Sequence, residues 1–194
     1  MLSDPLLVVA KVAAALDRLG VRYVVGGSLA SSLFGVPRST QDVDVVAELR
    51  EEHVAAFAEA LASEFYVDAE MILDAVRRRS SFNVIHLATM FKADVFVPAS
   101  DPWITSEMAR GRVEQFPVGD ALVPVRLASP EDTLLHKLVW YRLGDEVSDR
   151  QWGDLRGILK VRGGDLDAAY LTRWAEHLGV TELLQRALRE AKSR

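Results

Sequence analysis

A short β-branched and aromatic run, Val21 to Val25, stops at Gly26-Gly27, and a compact helical pattern resumes at once over Ser28 to Phe34. A strand that enters a helix through paired glycines points to a layered α/β architecture, because small residues let the backbone turn tightly. The flanking segments agree. Leu6, Val9, Val12, Ala13, Leu16 and Leu19 recur near helical spacing, with Ser3 or Asp4 as cap and Pro5 at the first helical position, and Gly20 ends the segment. Downstream, Val43, Val45 and Val46 make the next strand, and His53 to Phe65 has the alanine-rich look of a helix packed on a sheet. The order is β-α-β.

Phe82 to Leu87 and Ala93 to Val97 are strand-like runs joined by a turn-sized gap, which predicts a hairpin or neighbouring strands, and Pro98 stops the second. Val113 to Phe116 and Leu122 to Leu127 are two more short strands around a loop with Gly119 and Asp120. Helix then takes over. Ser129-Pro130-Glu131-Asp132 supplies a cap, a proline at the first position and acids in the first turn, and Leu134, Leu135, Leu138 and Val139 carry the apolar face as far as Gly144. A second helix is expected from near Ser148, with Trp152, Leu155, Ile158 and Leu159 inward; Gly163-Gly164 breaks it before helices at Leu166 to Leu178 and Thr181 to Lys192. The four tryptophans fall mostly at helical positions among leucines, which predicts core packing. The fold class is α/β (α+β), with an α/β core over residues 1–127 and a helical C-terminal region over 128–194.

Composition narrows the chemistry. With 194 residues, 49% of them hydrophobic, the chain can bury one good core with a small helical annex. The absence of cysteine excludes disulfides, thiolate zinc sites and a cysteine nucleophile, so a metal would be held by oxygen or imidazole. The four histidines are scattered and have no ligand spacing. A formal net charge of -5 argues against a nonspecific nucleic-acid coat. Residues 1–120 hold 11 Lys and Arg against 17 Asp and Glu, whereas residues 121–194 hold 12 against 11, so acidic chemistry is expected in the first part. Met1 to Ala10 has no basic leader region, and no apolar run approaches the roughly 18 residues of a membrane span. A cytoplasmic protein without a membrane partner is expected.

Asp42-Val43-Asp44 lies in a predicted strand, where a period of two sends both carboxylates to one face. Their mutual repulsion makes sense with a divalent cation between them. An isolated D-x-D is more often a polar strand end, so context decides. Gly26-Gly27-Ser28, about 15 residues upstream, lets backbone N–H groups and a helix N-terminus approach an anion. It is neither a Walker loop nor a dinucleotide fingerprint. Between turn and acids, Arg38 is a fork donor suited to phosphate, and Thr40 can orient the first acid. Asp94 interrupts the apolar Ala93 to Val97 strand, where an acid is costly unless paired or metal-bound, and is taken as the third carboxylate.

Gly27-Ser28, then Arg38-x-Thr40-x-Asp42-x-Asp44, then a strand-borne Asp94, resembles the nucleotidyltransferase (polymerase β-like) superfamily. The C-terminal half, Ser129 to Lys137 and then Ser148 to Leu155, is similar to the AbiEii-type nucleotidyltransferases, the toxin component of certain toxin-antitoxin systems, and to their bacterial relatives. The resemblance covers nearly the whole chain. It implies a nucleotidyltransferase core of a mixed sheet with flanking helices, and a two-magnesium mechanism in which Asp42 and Asp44 bind both ions and Asp94 holds the catalytic one. An acceptor hydroxyl then attacks the α-phosphate of an NTP, and the leaving pyrophosphate is met by Gly27, Ser28 and Arg38. It further implies that Lys137 meets the triphosphate, with accessory acids at Asp132 or Glu131 and at Asp149 or Asp154. A tRNA end or a protein side chain is the implied acceptor, and an antitoxin protein the implied partner. The alternatives are a non-catalytic NTP-binding or regulatory module of the same fold, and a small-molecule transferase of the aminoglycoside kind. Arg77-Arg78-Arg79, the only basic run, is read as a solvated helix end.

Overall fold

The structure, a computed structural model, describes residues 4–37, 40, 42–118 and 121–192; Ser3, Arg38, Gly119 and Asp120 lie outside them. In chain order the elements are α1 (Asp4–Arg18), β1 (Tyr23–Val25), α2 (Gly27–Phe34), β2 (Asp42–Ala47), α3 (Glu51–Leu61), β3 (Phe65–Tyr66), α4 (Ala69–Arg78), β4 (Ser81–His86), β5 (Lys92–Phe96), α5 (Pro102–Arg110), β6 (Arg112–Val118), β7 (Ala121–Leu127), α6 (Pro130–Leu143), α7 (Asp149–Arg162), α8 (Ala168–His177) and α9 (Thr181–Lys192). They form two compact units, residues 1–26 with 40–128 and residues 27–39 with 129–194. The second unit takes α2 out of the β-α-β run and joins it to the C-terminal helices.

The first unit is built on a mixed sheet in the order β3-β4-β5-β2-β1-β7-β6. Parallel pairing joins β2 to β5 and β1 to β7, and the remaining neighbours are antiparallel. Helix α1 runs against β7, β6, β1, β2 and β5, with Val8, Val9, Val12 and Leu16 fully buried. On the sheet face that carries Val24, Val46 and Phe96, α5 brings Ile104 and Met108 into one apolar cluster. Both halves of this packing follow from alternation, since residues two apart on a strand share a face.

Several elements differ from the sequence expectation. The expected helix over His53 to Phe65 begins two residues earlier, where Glu51 and Glu52 occupy the first turn. Phe65 is 3% exposed and belongs to β3, opposite His86 of β4. Helix α4 is capped by Asp68, whose Oδ1 accepts from the Glu70 and Met71 amides at 2.9 and 3.0 Å. Helix α5 is capped by Asp101 with Pro102 in its first turn. Arg77 and Arg78, at the end of α4, pair with Glu51 and Asp74. The β6-β7 hairpin is longer than expected despite Pro117 and Pro124, because β6 is an edge strand and β7 meets β1 only at Leu127. Trp103, Trp152 and Trp174 are buried, while Trp140 is exposed.

In the helical unit, Gly35 lets α2 approach α7 backbone to backbone: a Cβ there would lie 2.8 Å from the Ile158 amide nitrogen and 2.9 Å from the Gly157 carbonyl carbon. No helix among the described residues is long and apolar enough to cross a membrane.

Candidate active site

Strand β2 alternates as expected. Val43 and Val45 are buried on one face, and Asp42 and Asp44 are half-buried on the other. The parallel register sets Asp94 directly opposite Asp44, and Lys92 opposite Asp42. On the other side of β5, Asn83 of β4 is the partner of Asp94. Register and period two therefore put Asp42, Asp44, Lys92, Asp94 and Asn83 on one sheet face, the face whose apolar part carries Val46 and Phe96 under α5. The carboxylates begin where that cluster ends. Adjacent strands lie about 4.8 Å apart, so Asp44 opposite Asp94 is a like-charge pair that calls for a cation.

One cation is already in the row. Lys92 Nζ lies 2.8 Å from Asp94 Oδ2, with the two side chains 39% and 21% exposed. The hydrogen bond to Asp94 holds the ammonium above the ordinary lysine range against partial desolvation, and the charges of Asp94, Asp42 and Asp44 add to it. Thr40 Oγ1 donates to Asp42 Oδ1 and to the Asp42 carbonyl, each at 3.0 Å, and so fixes the first acid.

The glycine turn divides its work. The Gly26 amide donates to the Asp44 carbonyl at 2.9 Å, and the Ala128 amide to the Val25 carbonyl at 2.9 Å, which pins the end of β1 between its neighbours. The Gly26 N–H is thus used within the sheet. Gly27 takes φ 59°, the left-handed region that costs any other residue, and opens α2. Ser28 follows in the first turn and is buried, with its carbonyl accepting from Ser31 Oγ at 3.1 Å. Amides in a first turn have no intrahelical acceptor and suit an anion.

The remaining expected residues lie in the helical unit. Asp132 is fully buried at the start of α6, where its carboxylate accepts from Ser129 Oγ at 2.5 Å and from the Tyr170 hydroxyl at 2.6 Å. Glu131 Oε1 accepts from the Asp167 amide at 3.0 Å and so ties α6 to the start of α8. Lys137 Nζ is 2.8 Å from Asp154 Oδ2, a pair whose side chains are 5% and 6% exposed. Asp149 is exposed in the first turn of α7.

Among the described residues no group of three or more Asp, Glu or His is arranged to hold a metal ion. The donor set nonetheless fits a hard divalent cation in kind, being all carboxylate oxygen with two acids in direct cross-strand apposition. Sequence reasoning missed Lys92 and Asn83. Lys92 was visible, since it stands two residues before Asp94 on the same strand, whereas Asn83 could be placed only by the β4-β5 register.

The fold is that of the nucleotidyltransferase-like proteins. In particular, the chain is similar to an antigenic nucleotidyltransferase-like protein from Paracoccidioides brasiliensis, with a TM-score of 0.54 and 19% identity over 96% of this chain and 93% of that one. It is also similar to ANT(2")-Ia in complex with adenylyl-2"-tobramycin, with a TM-score of 0.50 and 15% identity over 95% of this chain and 97% of that one. At these identities the likeness is one of fold. No family model and no curated protein matches the sequence.

Proposed function

We propose that this chain moves a nucleoside monophosphate from an NTP to an acceptor hydroxyl, with Asp42, Asp44 and Asp94 as the magnesium-holding acids. The observation that carries this reading is the apposition of Asp44 and Asp94 across the parallel β2-β5 pair, with Asp42 on the same face. A binding module has no need to gather three acids at one end of a sheet. Magnesium there would neutralise phosphate charge and polarise the phosphoryl group under attack. Thr40 keeps the Asp42 carboxylate in one orientation. Gly27 and Ser28 offer first-turn amides to the phosphates, and Arg38 adds a guanidinium. The acceptor oxygen bonds to the α-phosphorus, its proton passes to Asp94, and pyrophosphate leaves.

The AbiEii-type resemblance of the C-terminal half supports a tRNA end or a protein side chain as acceptor, and a toxin role governed by an antitoxin protein. A second reading takes a small hydroxylated cation as acceptor. It is favoured by the acid surplus of residues 1–120 and by the likeness in fold to ANT(2")-Ia, whose structure holds adenylyl-2"-tobramycin. Mass spectrometry of RNA, protein and aminoglycoside acceptors incubated with each NTP and magnesium separates them. Added nucleotide on one class, lost in Asp42→Asn/Asp44→Asn, is the expected result; magnesium-dependent NTP binding with no transfer to any class would leave the binding module instead.

A further inference from the structure

Lys92 is the one Lys or Arg on strands β2, β4 and β5, and it stands within the row of acids, whereas His86 of β4 falls on the opposite face by alternation from Asn83. Its Nζ contacts Asp94 at 2.8 Å, and its register partner is Asp42. It remains 39% exposed, so it is held by charge and not walled in by packing. Strands β2 and β5 are paired in continuous parallel register through the row, which sets Asp44 opposite Asp94, and the ammonium of Lys92 contacts the Asp94 carboxylate.

We propose that Lys92 is an internal counter-ion that occupies the cation position of the acid row until a divalent metal displaces it, and that it thereby sets the metal affinity of the site. This rests on the reading of Asp42, Asp44 and Asp94 as metal-holding acids. The exchange is purely ionic: the Asp94 carboxylate gives up the ammonium and takes the metal, and no proton need move. In the metal-free protein the lysine relieves the repulsion between Asp44 and its cross-strand neighbour. With metal bound, the same positive charge opposes the ion. Lys92 is therefore a positioning residue that acts through Asp94, and its removal has two opposed effects, a less stable metal-free protein and a tighter metal complex.

The probe is Mn2+ alone, titrated into the full-length protein and followed by electron paramagnetic resonance, with thermal melts of the same samples. Lys92→Met and Lys92→Gln are expected to bind Mn2+ about tenfold more tightly than wild type, from the loss of one opposing charge within a few ångströms. Both are expected to melt lower without metal and to recover more on adding it, while Lys92→Arg keeps the wild-type affinity. A purely structural lysine would lower the melt without tightening the metal. If wild-type Mn2+ binding is lost in Asp42→Asn/Asp44→Asn yet unchanged or weaker in both neutral variants, the counter-ion inference alone is overturned. If Mn2+ binding survives Asp42→Asn/Asp44→Asn, the metal-site reading fails and takes this inference with it.

Discussion

The Lys137–Asp154 pair offers a sharp test, because burial and charge oppose each other there. At 2.8 Å and an effective dielectric of about 20, the bare attraction is about 6 kcal/mol. With the side chains only 5% and 6% exposed, much of that is offset by desolvation of both ions. Lys137→Met removes the attraction but leaves the Asp154 carboxylate out of water, and the expected cost is about 3–5 kcal/mol. That is a large share of the roughly 5–15 kcal/mol that holds a domain folded. Lys137→Met with Asp154→Leu removes the stranded charge as well, and the double variant is expected within about 1 kcal/mol of wild type or above it. Urea unfolding at 25 °C, with the slopes checked for equality, gives all the differences. A loss below about 1 kcal/mol in Lys137→Met would mean that the pair behaves as a solvated surface bridge, and would refute the burial argument. The double variant, compared with Asp154→Asn alone, also tests the nucleotide role expected of this lysine. Folded but lacking the ammonium, it binds magnesium-NTP more weakly if Lys137 meets the triphosphate, and as well as wild type if the lysine only neutralises Asp154.

Further outcomes are expected at Tyr23, at the glycine turn and at Gly35. Tyr23 is 3% exposed; burial chiefly, and its contact with Asp17 as well, push its phenol from 10.0 up to about 12, although the Arg126 amide pulls the other way. The fold favours the neutral phenol, so its stability contribution is complete below pH 10 and is lost as pH rises to about 12; Tyr23→Phe is expected to flatten the melting-temperature profile across that window. Gly27→Ala places a side chain at φ 59°, and is expected to cost about 1–2 kcal/mol in urea unfolding. Gly26→Ala, whose Cβ would meet open space, is expected to cost less. Gly35→Ala sets a methyl 2.8 Å from the Ile158 amide nitrogen, where backbone cannot yield, and is expected to cost about 1–3 kcal/mol by the same measurement.

What could be read from the chain was local. Alternation in Asp42 to Val46, the glycine turn, and the Ser129-Pro130 and Ser148 caps each declare themselves within a few residues, and β2, α2, α6 and α7 lie where they place them. The start of α5, Asp101-Pro102, is an equally local signal, whereas at α4 the Asp68 cap precedes a helix with only Ile72, Ala75 and Val76 buried, and charged neighbours mask its periodicity. The alanine-rich stretch before Phe65 predicts helix as far as that residue, but its burial against β4 is a tertiary matter that no window of sequence contains. The union of α2 with the C-terminal helices is of the same kind: Gly35 and Gly157 are far apart in the chain, and nothing near either announces their approach.

The acid row shows why some of the site could be read and some could not. Period two alone places Asp42 beside Asp44, but it says nothing about which residue of a strand some fifty positions later will stand opposite. A slip of one residue between β2 and β5 would set Ala93 or Val95 against Asp44 and turn the Asp94 and Lys92 side chains to the other face. That slip is resisted by the apolar residues, since Val43, Val45, Ala93 and Val95 are all at or below 1% exposure on the opposite side. The burial that stabilises the sheet therefore also aligns the carboxylates, and a variant that weakens that layer would be felt first in their alignment. Three carboxylates and one ammonium leave the row with a formal charge of two negatives. One divalent ion balances it, and a second ion has no counter-charge on these strands until a triphosphate brings its own.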